Sequence, residues 1–347
     1  MLGKEIVVCK SAAYFAKPLF RALNKTQEVR PYSHSFEQFP DGEFKVRLDD
    51  PNWARGRDFI VITTGNPHNV LPNMWELAML ARTLKLNGAQ SVEAIVTHLP
   101  FCRQERKSKP GECTSTDAVA DFLKTVARID RIIFFDLHVA AIQTLYSVLS
   151  IPSMHIRTRF LFENYLRKKA LGELSGWSIC APDLGRRQEA KAIAKDLWGE
   201  QTDLHLVQID KERLGPTRTR LKSVEGLVKG RNIAISDDEI NTGGTLITAS
   251  RALKERGAKR VLVLATHGKL VGGAARRLTA EEAIDEVVVS NTVSIPSEKR
   301  TSKIKIISLA PILAELINLL ADKQNDRPIE PQLEDFMLRS DLEIFGK

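Results

Sequence analysis

Residues 80–99 (LARTLKLNGAQSVEAIVTHL) and 249–268 (ASRALKERGAKRVLVLATHG) repeat one another. Arg82/Arg251, Leu84/Leu253, Lys85/Lys254, Gly88/Gly257, Ala89/Ala258, Val92/Val261, Thr97/Thr266 and His98/His267 coincide position by position. A helix that stops at a glycine and feeds a buried strand accounts for the leucines, glycines and valines. It does not account for Thr-His at the same end of both strands. The repeat therefore implies duplication of a helix–strand unit, once and not as a solenoid. A chain of 347 residues is long enough to bury two cores. Two related α/β domains are expected, 1–150 and 151–320, with Ile151-Pro152 at the crossover and 321–347 as a polar tail.

The same rhythm runs through the rest of the chain. An Ile6-Val7-Val8-Cys9 run opens it as a strand, and apolar runs at 58–63, 91–97 and 131–135 read as further strands. Helices are expected at 71–87 and 115–126. In the second half, strands are expected at 177–181, 204–209, 232–235, 259–265 and 286–289, and helices at 187–198, 244–256 and 310–320. Strands that are apolar throughout, separated by helices, call for mostly parallel sheets covered on both faces.

Composition removes several classes of function. Apolar content of 43% and charged content of 27% belong to a globular chain. No apolar run approaches the roughly 18–20 residues needed to span a bilayer, and the N-terminus lacks the apolar core of a signal peptide. Cys9, Cys102, Cys113 and Cys180 show no C-x-x-C spacing, which suits free thiols in the reducing cytoplasm. The net charge of +8 favours polyanions. It concentrates in two interior stretches, 103–109 and 211–222. Aromatic residues make up only 6% and interleave with neither stretch, so nucleic-acid binding is not expected. Anion binding and a solvated loop remain equal alternatives for each stretch taken alone.

The segment Ser236-Asp237-Asp238-Glu239-Ile240-Asn241-Thr242-Gly243-Gly244-Thr245 joins a strand to a helix. Ligands bind at the carboxyl ends of parallel strands. Thr242, Gly243, Gly244 and Thr245 bring backbone N–H groups and two hydroxyls to a helix N-terminus, a cradle for a phosphate dianion. Asp237 and Asp238 would repel that phosphate unless they accept from vicinal hydroxyls or face a cation. An acidic pair beside a phosphate cradle describes a sugar phosphate.

This loop resembles the PRPP-binding motif of the phosphoribosyltransferase fold, and other segments resemble the ribose-phosphate pyrophosphokinases in order along residues 4–320. They are Phe39-Pro40-Asp41-Gly42-Glu43 within the hairpin 39–47, the basic segment 101–109 with Arg103-Gln104, Asp136-Leu137-His138, Ala181-Pro182-Asp183-Leu184-Gly185, and Lys211 with Arg213 in 210–222. The resemblance implies two tandem phosphoribosyltransferase-like domains and transfer of the diphosphoryl group of MgATP to ribose 5-phosphate. It implies that Phe39, Asp41, Glu43, Arg103 and Gln104 bind ATP, the hairpin reaching from a neighbouring subunit of a dimer-based homo-oligomer, possible up to a hexamer. It assigns Asp237, Asp238, Asn241 and Thr242 to Thr245 to ribose 5-phosphate. Lys211 and Arg213 are the implied catalytic bases of a flap, and His138 and Asp183 the implied Mg²⁺ ligands. Without the resemblance, a hydrogen-bonded core histidine is the preferred reading of His138.

Three positions depart from the family pattern: Asn241 where an acid is usual, Arg186 where a second glycine is usual, and Ser108 where an aspartate is common. A non-catalytic, PRPP synthetase-associated subunit and a PRPP-consuming phosphoribosyltransferase are the alternatives. No G-x-x-x-x-G-K-[ST] motif is present, so a Walker-type ATPase is not expected.

Overall fold

The computed structural model describes residues 3–24, 31–213, 219–322, 324–341 and 344–345, without the side chains of 211–213, 219–221 and 345. The chain separates into two compact units. The first holds residues up to Arg157, Thr292–Ser294 and Leu309–Leu333; the second holds Thr158–Asn291, Ile295–Ser308 and Glu334 onwards.

In the first unit the strands are β1 (Glu5–Val8), β2 (His34–Gln38), β3 (Phe44–Leu48), β4 (Asp58–Thr63), β5 (Ser91–Val96), β6 (Arg131–Phe135) and β7 (Ser153–Ile156). Its helices are α1 (Ala13–Leu23), α2 (Val70–Leu86), α3 (Ser115–Phe122) and α4 (Ile142–Val148). Strands β1-β4-β5-β6-β7 form one sheet, parallel throughout, and β2–β3 form a separate antiparallel hairpin. Phe59, Ile60, Val61 and Ile62 are fully buried in succession, as a strand covered on both faces must be. The helix expected over 115–126 is α-helical over α3 and then widens into a π-helical turn (Leu123–Ala127) before Arg128 takes a left-handed φ of 56°.

The second unit continues with α5 (Arg159–Ala170), β8 (Trp177–Ala181), α6 (Arg187–Trp198), β9 (Leu206–Arg213), β10 (Thr219–Glu225) and β11 (Asn232–Glu239). It is completed by α7 (Gly244–Glu255), β12 (Arg260–His267), α8 (Ala274–Ala280), β13 (Glu286–Ser290) and β14 (Ile304–Ile307). Helix α9 (Ala310–Ala321) returns to the first unit, where it packs on α1. The tail forms α10 (Ile329–Arg339) and β15 (Ile344–Phe345), the latter pairing antiparallel with β14. The sheet order is β10-β9-β8-β11-β12-β13-β14-β15.

The duplication is visible in the registers. Val92 of β5 faces Phe59, and Val261 of β12 faces Ile233, so β4 corresponds to β11 and β1 to β8. Counting along from there, Thr63 and Thr64 stand where the second unit has Asp237 and Asp238. The repeated Thr-His also has a common task. Thr97 Oγ1 donates to the Thr292 carbonyl at 2.6 Å, and His98 Nδ1 lies 2.9 Å from the Gly65 carbonyl. Thr266 Oγ1 lies 2.8 Å from Thr158 Oγ1, and the His267 carbonyl accepts from Ile240 N–H at 2.9 Å. In both units the pair ties the end of its strand to neighbouring turns.

Candidate active site

In the second unit, β8 connects through α6 to β9 on one side, while β11 lies on the other side of β8. The sheet therefore reverses direction of growth between β8 and β11, and the carboxyl ends of these strands are where a doubly wound sheet binds ligands. Both of the loops singled out from the sequence start there: Pro182–Arg186 follows β8, and Ile240–Gly243 follows β11. Strand β11 runs through Glu239, beyond the expected 235, because Asp237 and Glu239 stay in register with Ala265 and His267.

The β11–α7 turn is held by its backbone. Leu270 N–H donates to the Ile240 carbonyl at 2.9 Å and Val271 N–H to the Asn241 carbonyl at 3.0 Å. Arg277 Nη2 donates to the Thr242 carbonyl at 2.7 Å. Gly243 precedes α7 with φ of 77°, and a Cβ there would lie 3.1 Å from Leu278 Cδ2. Conformation and space both call for glycine at this position. Thr242, Gly244 and Thr245 are exposed at the helix N-terminus, where first-turn amides lack carbonyl partners within the helix. Unpartnered amides at a helix N-terminus favour an anion.

The acidic pair is less exposed. Asp238 is 5% exposed, and its N–H donates to Asp237 Oδ1 at 2.9 Å. Burial raises the Asp237 carboxyl well above its ordinary range, Asp238 and Asp183 add to the rise, and the Arg186 guanidinium opposes it. Arg186 Nε stands 3.8 Å from Asp237 Oδ1. The Arg186 N–H donates to Asp183 Oδ1 at 3.3 Å, so Asp183 caps the turn that delivers the arginine. Asp183, Arg186, Asp237 and Asp238 make one electrostatic group. Lys211 and Arg213 lie on the backbone of β9, the antiparallel partner of β10, and their side chains fall outside the described residues. The neighbouring Lys222 Nζ is 3.5 Å from Asp210 Oδ2.

In the first unit, Phe39 sits at the hairpin tip, 45% exposed. Asp41 Oδ1 accepts the Glu43 N–H at 3.1 Å, and Gly42 takes a φ of 95°, so Asp41 shapes the turn as well as presenting a carboxylate. Glu43 and Phe101, from the two segments assigned to ATP, border one apolar cavity of about 940 Å³ that Trp75 and Phe122 also line. Gln104 Oε1 accepts from Ser115 Oγ at 2.5 Å, and Ser115 lines the same cavity. Ser108 donates through its N–H and its hydroxyl to Glu112 Oε2, both at 2.7 Å. These hydrogen bonds hold the Glu112 carboxyl below its usual range, and an aspartate at 108 would keep the backbone bond but replace the hydroxyl's by repulsion. His138 follows β6 after Asp136, a non-glycine residue at φ of 36°. Leu137 N–H in that turn donates to His155 Nε2 at 3.0 Å.

Sequence reasoning missed Arg277, Leu278, Trp75 and Phe122. The first two act on the backbone of Thr242 and the space around Gly243, and the aromatic pair (5.8 Å between ring centroids) belongs to helices that read as ordinary core elements.

Residues 5–126 match the family described as the N-terminal domain of ribose phosphate pyrophosphokinase, and residues 209–326 match the phosphoribosyl synthetase-associated domain. The ribose-phosphate pyrophosphokinase of Campylobacter jejuni is 34% identical over 282 residues, covering 81% of this chain and 85% of that protein. The chain belongs to the ribose-phosphate pyrophosphokinase family. The Helicobacter pylori relative of the same name is 35% identical over 281 residues, covering 81% and 82% of the two chains. The crystal structure of phosphoribosylpyrophosphate synthetase from Mycobacterium smegmatis matches with a TM-score of 0.81 at 32% identity, covering 92% of this chain and 98% of that one. Membership in this pyrophosphokinase family agrees with the expected α/β architecture of parallel sheets flanked by helices.

Proposed function

We propose that the chain transfers the diphosphoryl group of MgATP to the C1 hydroxyl of ribose 5-phosphate, giving PRPP and AMP for nucleotide biosynthesis. The observation that carries this reading is the pairing of Asp237 and Asp238 with the Gly243 turn at the carboxyl ends of β8 and β11. The α7 N-terminus takes the 5-phosphate, with Thr242 and Thr245 adding hydroxyl donors. Asp237 and Asp238 accept from the ribose hydroxyls, and Asn241 offers a neutral carbonyl oxygen to the same sugar. The sugar's C1 oxygen bonds to the β-phosphorus, the bond from that phosphorus to the bridging oxygen of AMP breaks, and the hydroxyl proton is lost. Lys211 and Arg213 meet the charge that gathers around the β-phosphoryl group.

ATP lies between the 39–47 hairpin and the 101–109 segment. Phe39 stacks on the base, Asp41 and Glu43 accept from it, and Arg103 with Gln104 holds the phosphates. The exposure of Phe39 at the hairpin tip suits a base held across the subunit boundary of a homo-oligomer, and the free cysteines suit the cytoplasm. Among the described residues no group of three or more His, Cys, Asp or Glu side chains could form a metal cage. That fits Mg²⁺, which arrives with substrate phosphates and keeps most of its waters. His138 and Asp183 are the ligands that the family resemblance implies for it. When bound, it neutralises phosphate charge; positioning is left to the protein. Among the described residues no helix is long and apolar enough to cross a membrane.

Phosphorus NMR of the full chain with ATP, ribose 5-phosphate and Mg²⁺ tests the reading. Appearance of AMP together with a C1-diphosphate ester is expected. Starting materials alone after prolonged incubation would refute catalysis and leave the non-catalytic subunit as the reading.

A further inference from the structure

Arg186 occupies a place where the family pattern has glycine, and it is not left in solvent. Its side chain is 18% exposed, and Nε stands 3.8 Å from Asp237 Oδ1. Its backbone is fixed by the Asp183 cap, through hydrogen bonds of 3.3 Å from the Arg186 N–H to both Asp183 Oδ1 and the Asp183 carbonyl. The charges of Asp183 and Asp238 act on Asp237 at the ends of β8 and β11, and the nearby Arg186 guanidinium opposes them. A guanidinium keeps its charge at every accessible pH and cannot be chelated away.

Carboxylates that accept from a sugar diol beside a phosphate dianion need a neighbouring positive charge. With glycine at this position the charge would have to come from elsewhere, for instance from a divalent cation carried in from solution. Here the chain supplies it. We propose that Arg186 is the resident counter-ion of the ribose 5-phosphate site, so that this chain binds ribose 5-phosphate without a divalent metal. The role is one of positioning: the guanidinium holds Asp237 as an acceptor aimed at the sugar hydroxyls. Mg²⁺ remains the companion of ATP, and only the sugar half of the site is freed from it. The inference rests on the assignment of the Asp237–Thr245 loop to ribose 5-phosphate.

Isothermal titration of ribose 5-phosphate into the full chain, once in EDTA and once in MgCl₂, tests it without turnover. For the unaltered chain the two dissociation constants should agree within about threefold. For Arg186→Gln the constant in EDTA should rise by about tenfold or more and recover on addition of MgCl₂, while Arg186→Lys should lie between the two. A larger dependence on metal in the unaltered chain, a measurement that needs no variant, would overturn the proposal. So would Arg186→Gln binding alike in both solutions. Binding in neither solution by the unaltered chain would remove the ribose 5-phosphate assignment itself, and this inference with it.

Discussion

Asn241 sits in the turn whose backbone is pinned by Val271 and, through Thr242, by Arg277. Its position is therefore set by the fold, while its side chain brings dipole in place of charge. A charge-assisted hydrogen bond to a sugar hydroxyl is roughly twice as strong as a neutral one. Asn241→Asp should accordingly raise kcat/KM for ribose 5-phosphate by about threefold to tenfold. An unchanged or lower rate in steady-state assays would show that Asn241 belongs with Arg186 in a differently balanced site. Gly243 is constrained more tightly. Gly243→Ala forces a side chain into left-handed backbone against Leu278 and should cost about 1–2 kcal/mol in stability, with loss of ribose 5-phosphate binding. Denaturant unfolding and calorimetry would detect both effects; a variant with unaltered binding would mean that the α7 terminus does not hold the phosphate.

At the scale of elements, what could be read in the sequence follows from how each element is buried. Strands β4, β6 and β8 are mostly apolar runs, and the expected 58–63, 131–135 and 177–181 coincide with them. Strand β11 continues through two aspartates, where a hydropathy argument stops although the backbone pairing does not. Helix α5 buries Glu163 and Asn164 along with Phe160 and Leu161, so no polar face marks it. The tail reads as polar, yet α10 buries Leu333 and Met337 four residues apart, and Asn164 Nδ2 donates to the Met337 carbonyl at 2.5 Å. Its burial depends on partners distant in sequence, which a local pattern cannot reveal. The motif loops were legible because phosphate and diol chemistry restrict residue types, whereas Arg277 and Leu278 serve the backbone and carry no such mark.

Helix α5 also gives a pH dependence. Burial, with the nearby Asp196 charge, pushes the Glu163 carboxyl up to about 8, against the pull of Arg159. A folded-state value raised above the unfolded one contributes stability that is full below about pH 4.5 and is lost as pH rises through about 8. Glu163→Gln, which mimics the protonated acid, should leave the melting temperature unchanged near pH 4.5. At pH 8.5 it should raise it by roughly 1–3 °C. A gain of equal size at both pH values would assign the effect to packing instead.

Over the whole molecule, the proposed sugar-phosphate site occurs in only one copy of the duplicated helix–strand unit. The first unit retains the strand order and the Thr-His tie, but threonines stand at the positions of the acidic pair. A titration of ribose 5-phosphate should therefore saturate at a single equivalent per chain, and a second site of comparable affinity would contradict this division. In the proposed reaction the sugar held by the Asp237–Thr245 loop attacks the β-phosphorus through its own C1 oxygen. Ribose 5-phosphate labelled with ¹⁸O at the C1 hydroxyl, turned over with MgATP and followed by phosphorus NMR and mass spectrometry, tests it directly. The label is expected in the bridge between C1 and the diphosphate of the product, with none in AMP; an unlabelled bridge would mean that the sugar's C1 oxygen is not the nucleophile.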